Sequence, residues 1–262
     1  MHKLNTEETS TFNVEQITND LIVWIRNWFA SNGNNCNAFI GISGGKDSTI
    51  TAALMARALG VYRVYGVSMP DASQNSNVAI NICKYLGINY IEAPINESVV
   101  ALTTSYKGLT LSNTPVACYL QQLSKQATLN IPARIRMVML YAISQTLNGR
   151  VINTCNLSEN YVGYETIFGD AAGDMSPLGK LTVTEILQIG DYLNLPKAWV
   201  HKTPDDGLPN SKPDEQKLGF TYADLDKAIR GKSEFTDEMK TWHNKSNFKR
   251  IAMPTFNPTI DR

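Results

Sequence analysis

The apolar positions of this chain change period in an ordered way. Between Asn13 and Ala30, the residues Val14, Ile17, Leu21, Ile22, Trp24, Ile25, Trp28 and Phe29 recur mostly three and four apart, which predicts an amphipathic helix. Asn32-Gly33-Asn34-Asn35 ends it. Ala38 to Ile42 is a continuous apolar run, read as a strand, and a glycine turn leads from it into a helical pattern over Ser48–Leu59 that stops at Gly60. Val61 to Met69 is β-branched and aromatic, a second strand. In Ser76–Leu86 the residues Val78, Ile82 and Leu86 fall four apart, a helix closed by Gly87. Asn89 to Ile95 is a third strand, Ile131 to Thr146 a long helix, and Arg150 to Cys155 a further strand. Helices are expected again over Leu181–Leu193 and near Tyr222–Arg230. Strands and helices alternating at these lengths predict an α/β fold: one doubly wound domain, a mostly parallel sheet, helices on both faces.

Two stretches escape the periodicity. Tyr161 to Lys180 carries Asp170, Asp174 and four glycines, and Lys202 onward carries Pro204, Pro209 and Pro213. Long aperiodic segments inside a compact domain are usually functional or disordered. Mobile loops are therefore expected near residues 161–180 and 203–217.

The totals narrow the class. At 262 residues, one large domain over residues 1–262 is favoured over two. Apolar content of 43% with 18% charged residues fits a soluble globular protein. Lys+Arg and Asp+Glu are 24 each, so the basic excess of a nucleic-acid-binding body is missing. The four cysteines are scattered, form no C-x-x-C, and accompany only three histidines, which argues against structural zinc. No signal-peptide core or membrane-length apolar run is present, and a cytoplasmic location is expected.

The candidate chemistry begins at Gly41-Ile42-Ser43-Gly44-Gly45-Lys46-Asp47-Ser48. A strand, a glycine turn and a helix N-terminus together make an anion site from bare backbone N–H groups and the positive end of the helix dipole. The string is not a Walker loop, because Gly45-Lys46 is followed by Asp47, and no G-x-G-x-x-G is present. It resembles the pyrophosphate-binding loop of the N-type ATP pyrophosphatases, enzymes that adenylate a substrate and release pyrophosphate. Arg134 and Arg136 fall near the expected start of the long helix, where arginine opposes the helix dipole. A surface ion pair and an anion clamp explain them equally well.

The order of features along the whole chain resembles the ammonia-dependent NAD synthetases. The likeness covers the glycine loop, Asn130-Ile131-Pro132-Ala133-Arg134-Ile135-Arg136-Met137, the Thr154–Glu159 strand end, Phe168-Gly169-Asp170-Ala171-Ala172-Gly173-Asp174, Lys202-Thr203-Pro204, Leu218-Gly219-Phe220-Thr221-Tyr222 and Lys249-Arg250. The chain is too short for the glutaminase domain of the glutamine-dependent relatives. The resemblance implies an adenine-nucleotide alpha-hydrolase-like fold, a homodimer, and a two-step ligase reaction. The carboxylate of deamido-NAD attacks the α-phosphate of ATP, pyrophosphate leaves, and ammonia attacks the acyl-adenylate to give NAD and AMP.

Residue by residue, the resemblance assigns Gly41, Ile42, Ser43, Gly44, Gly45, Lys46, Asp47 and Ser48 to the ATP phosphates. Gln74 and Thr154 match further ATP contacts. Asp47 and Glu159 match magnesium ligands, an oxygen pair suited to Mg²⁺. Arg134, Asp174 and Lys249 match deamido-NAD contacts, and Lys46, Asp47 and Asp170 carry the catalytic expectation. Departures are also legible. Ser68 stands where the family carries an arginine, Ile167 and Val183 where it carries lysines, Phe248 for a histidine, and Asp205 for a threonine or serine. Lys180, three residues before Val183, is the expected substitute cation. Two other classes remain as alternatives: a pyrophosphatase-loop enzyme acting on tRNA, and a non-catalytic nucleotide-binding module.

Overall fold

The computed structural model describes residues 12–71, 74–107, 109, 122–202, 213–256 and 258. Four parallel strands form one sheet in the order β3-β2-β1-β4, with β1 at Asn37–Gly41, β2 at Val64–Ser68, β3 at Asn89–Glu92 and β4 at Gly149–Val151. Ahead of β1 lies α1 (Val14–Asn32), and between the strands run α2 (Lys46–Leu59), α3 (Asn77–Leu86), α4 (Asn96–Lys107) and α5 (Lys125–Thr146). After β4 come α6 (Leu157–Val162), α7 (Val183–Tyr192), α8 (Lys197–Val200), α9 (Asp214–Leu218), α10 (Tyr222–Ile229) and α11 (Asp237–Lys245). No helix among the described residues is long and apolar enough to cross a membrane.

Ala38, Phe39 and Ile40 of β1 are all apolar because both faces of the strand are covered, as in other parallel sheets. Ala38 and Ile40 pack with Ile25, Phe29, Ile50, Leu54 and Ile186 from α1, α2 and α7. Phe39 points the opposite way, into a layer with Val67, Leu140 and Val151, and stacks on Tyr65 with ring centroids 4.7 Å apart. This is the doubly wound architecture the alternating pattern predicts. A third, smaller cluster holds Val162, Val183, Leu218, Tyr222, Leu225 and Met239 beside the sheet.

Several strand boundaries differ from the sequence reading. Val61–Arg63 form a 3-10 turn ahead of β2. The third strand ends at Glu92 instead of Ile95, and β4 is confined to Gly149–Val151. Beyond it Ile152 bridges to Met175, and Asp174 N donates to Val151 O at 2.7 Å. The glycine-bearing stretch thus takes over the pairing that a longer strand would have supplied.

The long helix α5 starts at Lys125, six residues before the expected start. Ser124 caps it by accepting Ala127 N–H, and Pro132 lies inside it. An interior proline forfeits one bond of the ladder and its ring crowds the carbonyl four residues earlier, yet the helix runs on through it. Arg134 and Arg136 are therefore the tenth and twelfth residues of the helix, and the dipole argument does not apply to them.

The sheet order reverses between β1 and β4: the chain moves outward through β2 and β3, then returns to the other side of β1. The crevice at that switch point, beyond the carboxyl ends of the strands, is where open α/β sheets bind ligands. Both Gly41–Ser48 and Asn153–Glu159 leave the sheet there.

Candidate nucleotide and metal site

The loop between β1 and α2 is shaped by its glycines. Gly44 has φ +82°, and a Cβ added there would stand 3.0 Å from Val78 Cγ1 of α3. Gly45 caps α2 in extended geometry without a side-chain bond of its own. Ser43 Oγ accepts Gly45 N–H at 3.2 Å, while the hydroxyls of Ser48 and Thr49 donate to Gly45 O at 3.1 and 2.8 Å. The Lys46, Asp47 and Ser48 amides form the first turn of α2 and have no acceptor within the helix, so they provide an anion seat.

Lys46 turns inward. It is 5% exposed, and Nζ donates to Asp47 Oδ2 at 2.8 Å. Burial opposes its charge, but Asp47, Glu159 and Asp214 outweigh that cost and hold its pKa above the ordinary lysine value.

Asp47 is tied to the far side of the crevice by Asn156 Nδ2, which donates to its Oδ1 at 3.0 Å. Asn156 is also the N-cap of α6. Its Oδ1 accepts Glu159 N–H at 3.0 Å, and Glu159 Oε2 accepts Asn156 N–H at 3.3 Å, a reciprocal capping box. One residue therefore positions both carboxylates of the expected metal pair. Desolvation first, and then the neighbouring Asp47 charge, push Glu159 up to about 8. A carboxylate whose ionisation is opposed by a neighbouring carboxylate suits a cation that would neutralise both. All donors are oxygen, as Mg²⁺ prefers, and Mg²⁺ commonly takes only one or two carboxylates alongside water and phosphate. The residues present fit such an ion, although no cluster of three ligating side chains exists among the described residues.

A second group lies along the stretch from Tyr161 to Lys180. Asn153, just past β4, donates through Nδ2 to Asp170 O at 2.8 Å and Ala172 O at 3.0 Å. Asp170 Oδ1 accepts Thr166 N–H at 2.9 Å, and desolvation raises its pKa. Lys249 Nζ donates to the carbonyls of Gly163 at 2.7 Å and Glu165 at 2.5 Å. Burial lowers its pKa against the pull of Glu165 and Asp170. Arg134 Nε donates to Ile167 O at 3.3 Å. Asp174 Oδ2 accepts Val151 N–H at 2.7 Å, and Oδ1 lies 3.4 Å from Tyr141 Oη. Arg134, Asp170 and Lys249 thus meet around one loop, whereas Asp174 closes the open side of β4. Thr154 continues from β4 toward α6.

On the other side, Gln74 lies after β2 and is gripped by Arg136. The guanidinium donates to Met69 O at 2.9 Å and to Gln74 Oε1 at 2.8 Å. Ser68, the position without an arginine, is 5% exposed and donates to Ser76 Oγ at 3.0 Å. Lys180 is exposed, and its carbonyl accepts Arg230 Nη2 at 3.0 Å. Val183 is buried in the small third cluster and Phe248 is 60% exposed. Asp205 and residues 203–212 lie outside the described residues.

Sequence reasoning missed Asn153, Asn156, Asp214 and Tyr222, and did not connect Arg136 to Gln74. Of these, Asn156 had a visible signal: Asn-x-x-Glu ahead of a helix is the capping-box spacing.

The profile of the NAD synthase family matches residues 17–256. The NH(3)-dependent NAD(+) synthetase of Carboxydothermus hydrogenoformans is 33% identical over 91% of this chain and 96% of that protein. Among solved structures, the NMN synthetase of Francisella tularensis matches with TM-score 0.83 and 29% identity, covering 94% of this chain and 100% of the other. The NH3-dependent NAD synthetase of Campylobacter jejuni matches with TM-score 0.69 and 27% identity, over 95% and 100%. The architecture is that of the adenine nucleotide alpha-hydrolases. A profile that spans nearly the whole described fold, together with a glycine loop and a carboxylate pair at one switch point, leads to a single assignment: the chain belongs to the NAD synthase family.

Proposed function

We propose that the chain is the C–N ligase its family implies: it converts deamido-NAD, ATP and ammonia to NAD, AMP and pyrophosphate through an acyl-adenylate. One observation carries this reading. The glycine-loop anion seat and the Asp47–Glu159 pair face the same crevice, joined by Asn156. Adenylation needs both, because a polyphosphate leaving group must be held while its charge is neutralised.

In this reading Gly41–Ser48 cradle the phosphates of ATP, and Gln74 and Thr154 contact the rest of the nucleotide. Asp47 and Glu159 would hold Mg²⁺, which supplies charge neutralisation on the phosphates. Arg134, Asp174 and Lys249 bind the acyl substrate. Asp170, with its raised pKa, accepts a proton as ammonium becomes ammonia and attacks. Lys180 supplies a further cation from the surface. The stretch 161–180 closes over the substrates; most of the second expected loop, 203–212, lies outside the described residues. The exposed Val138 and Phe168, with the half-buried Tyr141, line a groove of about 480 Å³, where the second copy of the expected homodimer would dock.

A second reading concerns the acyl substrate. The matching Francisella structure is of an NMN synthetase, and Ile167 and Phe248 remove two polar contacts expected for a dinucleotide. Nicotinate mononucleotide, amidated to NMN by the same chemistry, is the alternative acceptor.

The test is a product assay with ATP, Mg²⁺, ammonium and each acceptor in turn. The expected products are AMP, pyrophosphate and the amide. Release of ADP and phosphate would overturn adenylation, and a larger kcat/KM with the mononucleotide would select the second reading.

A further inference from the structure

Tyr222 opens α10 and is 2% exposed. Its backbone N–H is taken by Glu215 Oε1 at 2.8 Å, and its ring packs with Val162, Val183, Leu218 and Leu225. Lys46 Nζ stands 6.0 Å from the ring centroid. The hydroxyl is buried and has no hydrogen-bond partner. Thr51 Oγ1 and Ser144 Oγ are also unpartnered, inside α2 and α5, but the company of Tyr222 is different. Besides the burial that dominates its environment, the carboxylates of Glu159, Asp214 and Asp47 all act on its phenol, which therefore stays protonated.

A buried hydroxyl without a partner is unfavourable, and native proteins rarely keep one without a reason. The carboxylates near Tyr222 are engaged elsewhere. Asp47 holds Lys46 and Asn156, Glu159 holds the Asn156 N–H, and Asp214 accepts Tyr164 Oη at 3.0 Å. A hydroxyl that can both give and accept a proton, carried on a ring 6.0 Å from the lysine that bonds Asp47, matches the need of a hydrated ion. Mg²⁺ sheds its waters reluctantly, and those waters require acceptors. Groups that hold the outer side of a metal site often alter its affinity 10- to 100-fold, an order-of-magnitude range.

We propose that the Tyr222 hydroxyl belongs to the cation site: it anchors a water of the hydration shell of the divalent ion held by Asp47 and Glu159. Tyr222 is thus a positioning residue that ties α10 to the metal pair. The inference rests on the metal assignment made under the proposed function.

The experiment titrates Mn²⁺ alone into the full chain, followed by electron paramagnetic resonance. Tyr222→Phe keeps the ring and removes only the orphan hydroxyl. Its Mn²⁺ affinity is expected to fall about 10-fold, while its thermal midpoint in chelator equals or exceeds that of the unmodified chain. Affinity within twofold of the unmodified chain would overturn the inference. Tyr164→Phe is the packing control, expected to lower the midpoint but leave Mn²⁺ binding unchanged. Asp47→Asn should abolish binding; if it does not, the metal pair fails, and this inference with it. Should Tyr222→Phe not fold, 3-fluorotyrosine at position 222 supplies the readout. Its fluorine resonance should shift on adding Mg²⁺, and an unmoved resonance would overturn the proposal. Normal Mn²⁺ affinity in Tyr222→Phe alongside normal NAD formation would remove Tyr222 while leaving the proposed function standing.

Discussion

Arg136 Nη2 donates to Gln74 Oε1 at 2.8 Å, and the Asp71 N–H approaches the same oxygen at 3.2 Å. Two donors on one oxygen fix the polarity of the amide, because the flipped rotamer would set an NH₂ group against both. Gln74 can therefore offer only its NH₂ group to the crevice. Arg136 also spans to Met69 O, one residue past Ser68. Replacing Arg136 with Leu frees the amide to rotate. The expected result is a KM for ATP raised about 10-fold, the scale of one lost charge-assisted hydrogen bond, with a smaller change in kcat. Steady-state kinetics check it, and an unchanged KM for ATP would separate Gln74 from nucleotide binding.

Asp47 carries two burdens, the expected metal and the counter-charge of Lys46. Asp47→Asn is expected to take NAD formation below detection while the circular dichroism spectrum persists. The buried Lys46 then leans on Glu159 and Asp214 alone, so the thermal midpoint also falls, by the equivalent of about 1–3 kcal/mol. Retained turnover would remove Asp47 from the metal site.

Gly44 is needed for its backbone as well as its lack of a side chain. At φ +82° an alanine costs about 1–2 kcal/mol of left-handed strain. Its Cβ also presses on Val78 Cγ1, 3.0 Å away. Gly44→Ala should weaken both stability and ATP binding. Adding Val78→Ala should restore part of the stability by removing the contact. Full recovery in the double variant would mean that the φ requirement carries no cost.

The ion pair of Glu185 with Arg230 sets an acid limit on stability. Arg230 Nε and Nη2 donate to the two carboxylate oxygens at 2.7 and 2.6 Å, and Thr182 N–H adds a third bond at 2.8 Å. Desolvation opposes the charge of Glu185, but these bonds prevail and its pKa lies below the ordinary 4.5. A lowered carboxylate pKa stabilises the fold above the unfolded value, and that contribution is lost as pH falls through the folded value. Arg230 is 38% exposed, so solvent screening limits the gain. Glu185→Gln should cost about 1–2 kcal/mol at pH 7. It should also flatten the stability curve below pH 4.5 in denaturant titrations. An unaltered acid slope would assign that loss to other carboxylates.

The pattern of apolar positions determined the layers of this protein. A run such as Ala38–Ile42 is apolar at every position only because helices cover both faces of its strand, and Gly44-Gly45 sits where a chain must turn from strand to helix around an anion. These are local requirements, and local sequence records them. Asn156 stood in the sequence as a helix cap, and nothing there told that its amide also reaches Asp47, 109 positions away. The apolar pattern placed the start of α5 at Ile131, six residues after the Ser124-capped start at Lys125. The grip of Arg136 on Gln74, 62 positions apart, and the buried Tyr222 ring under Lys46 likewise appear only when the sheet brings distant loops together. Hydrogen-bond geometry and burial depend on where chains cross, and that is set by packing of the whole domain, not by the composition of any one segment.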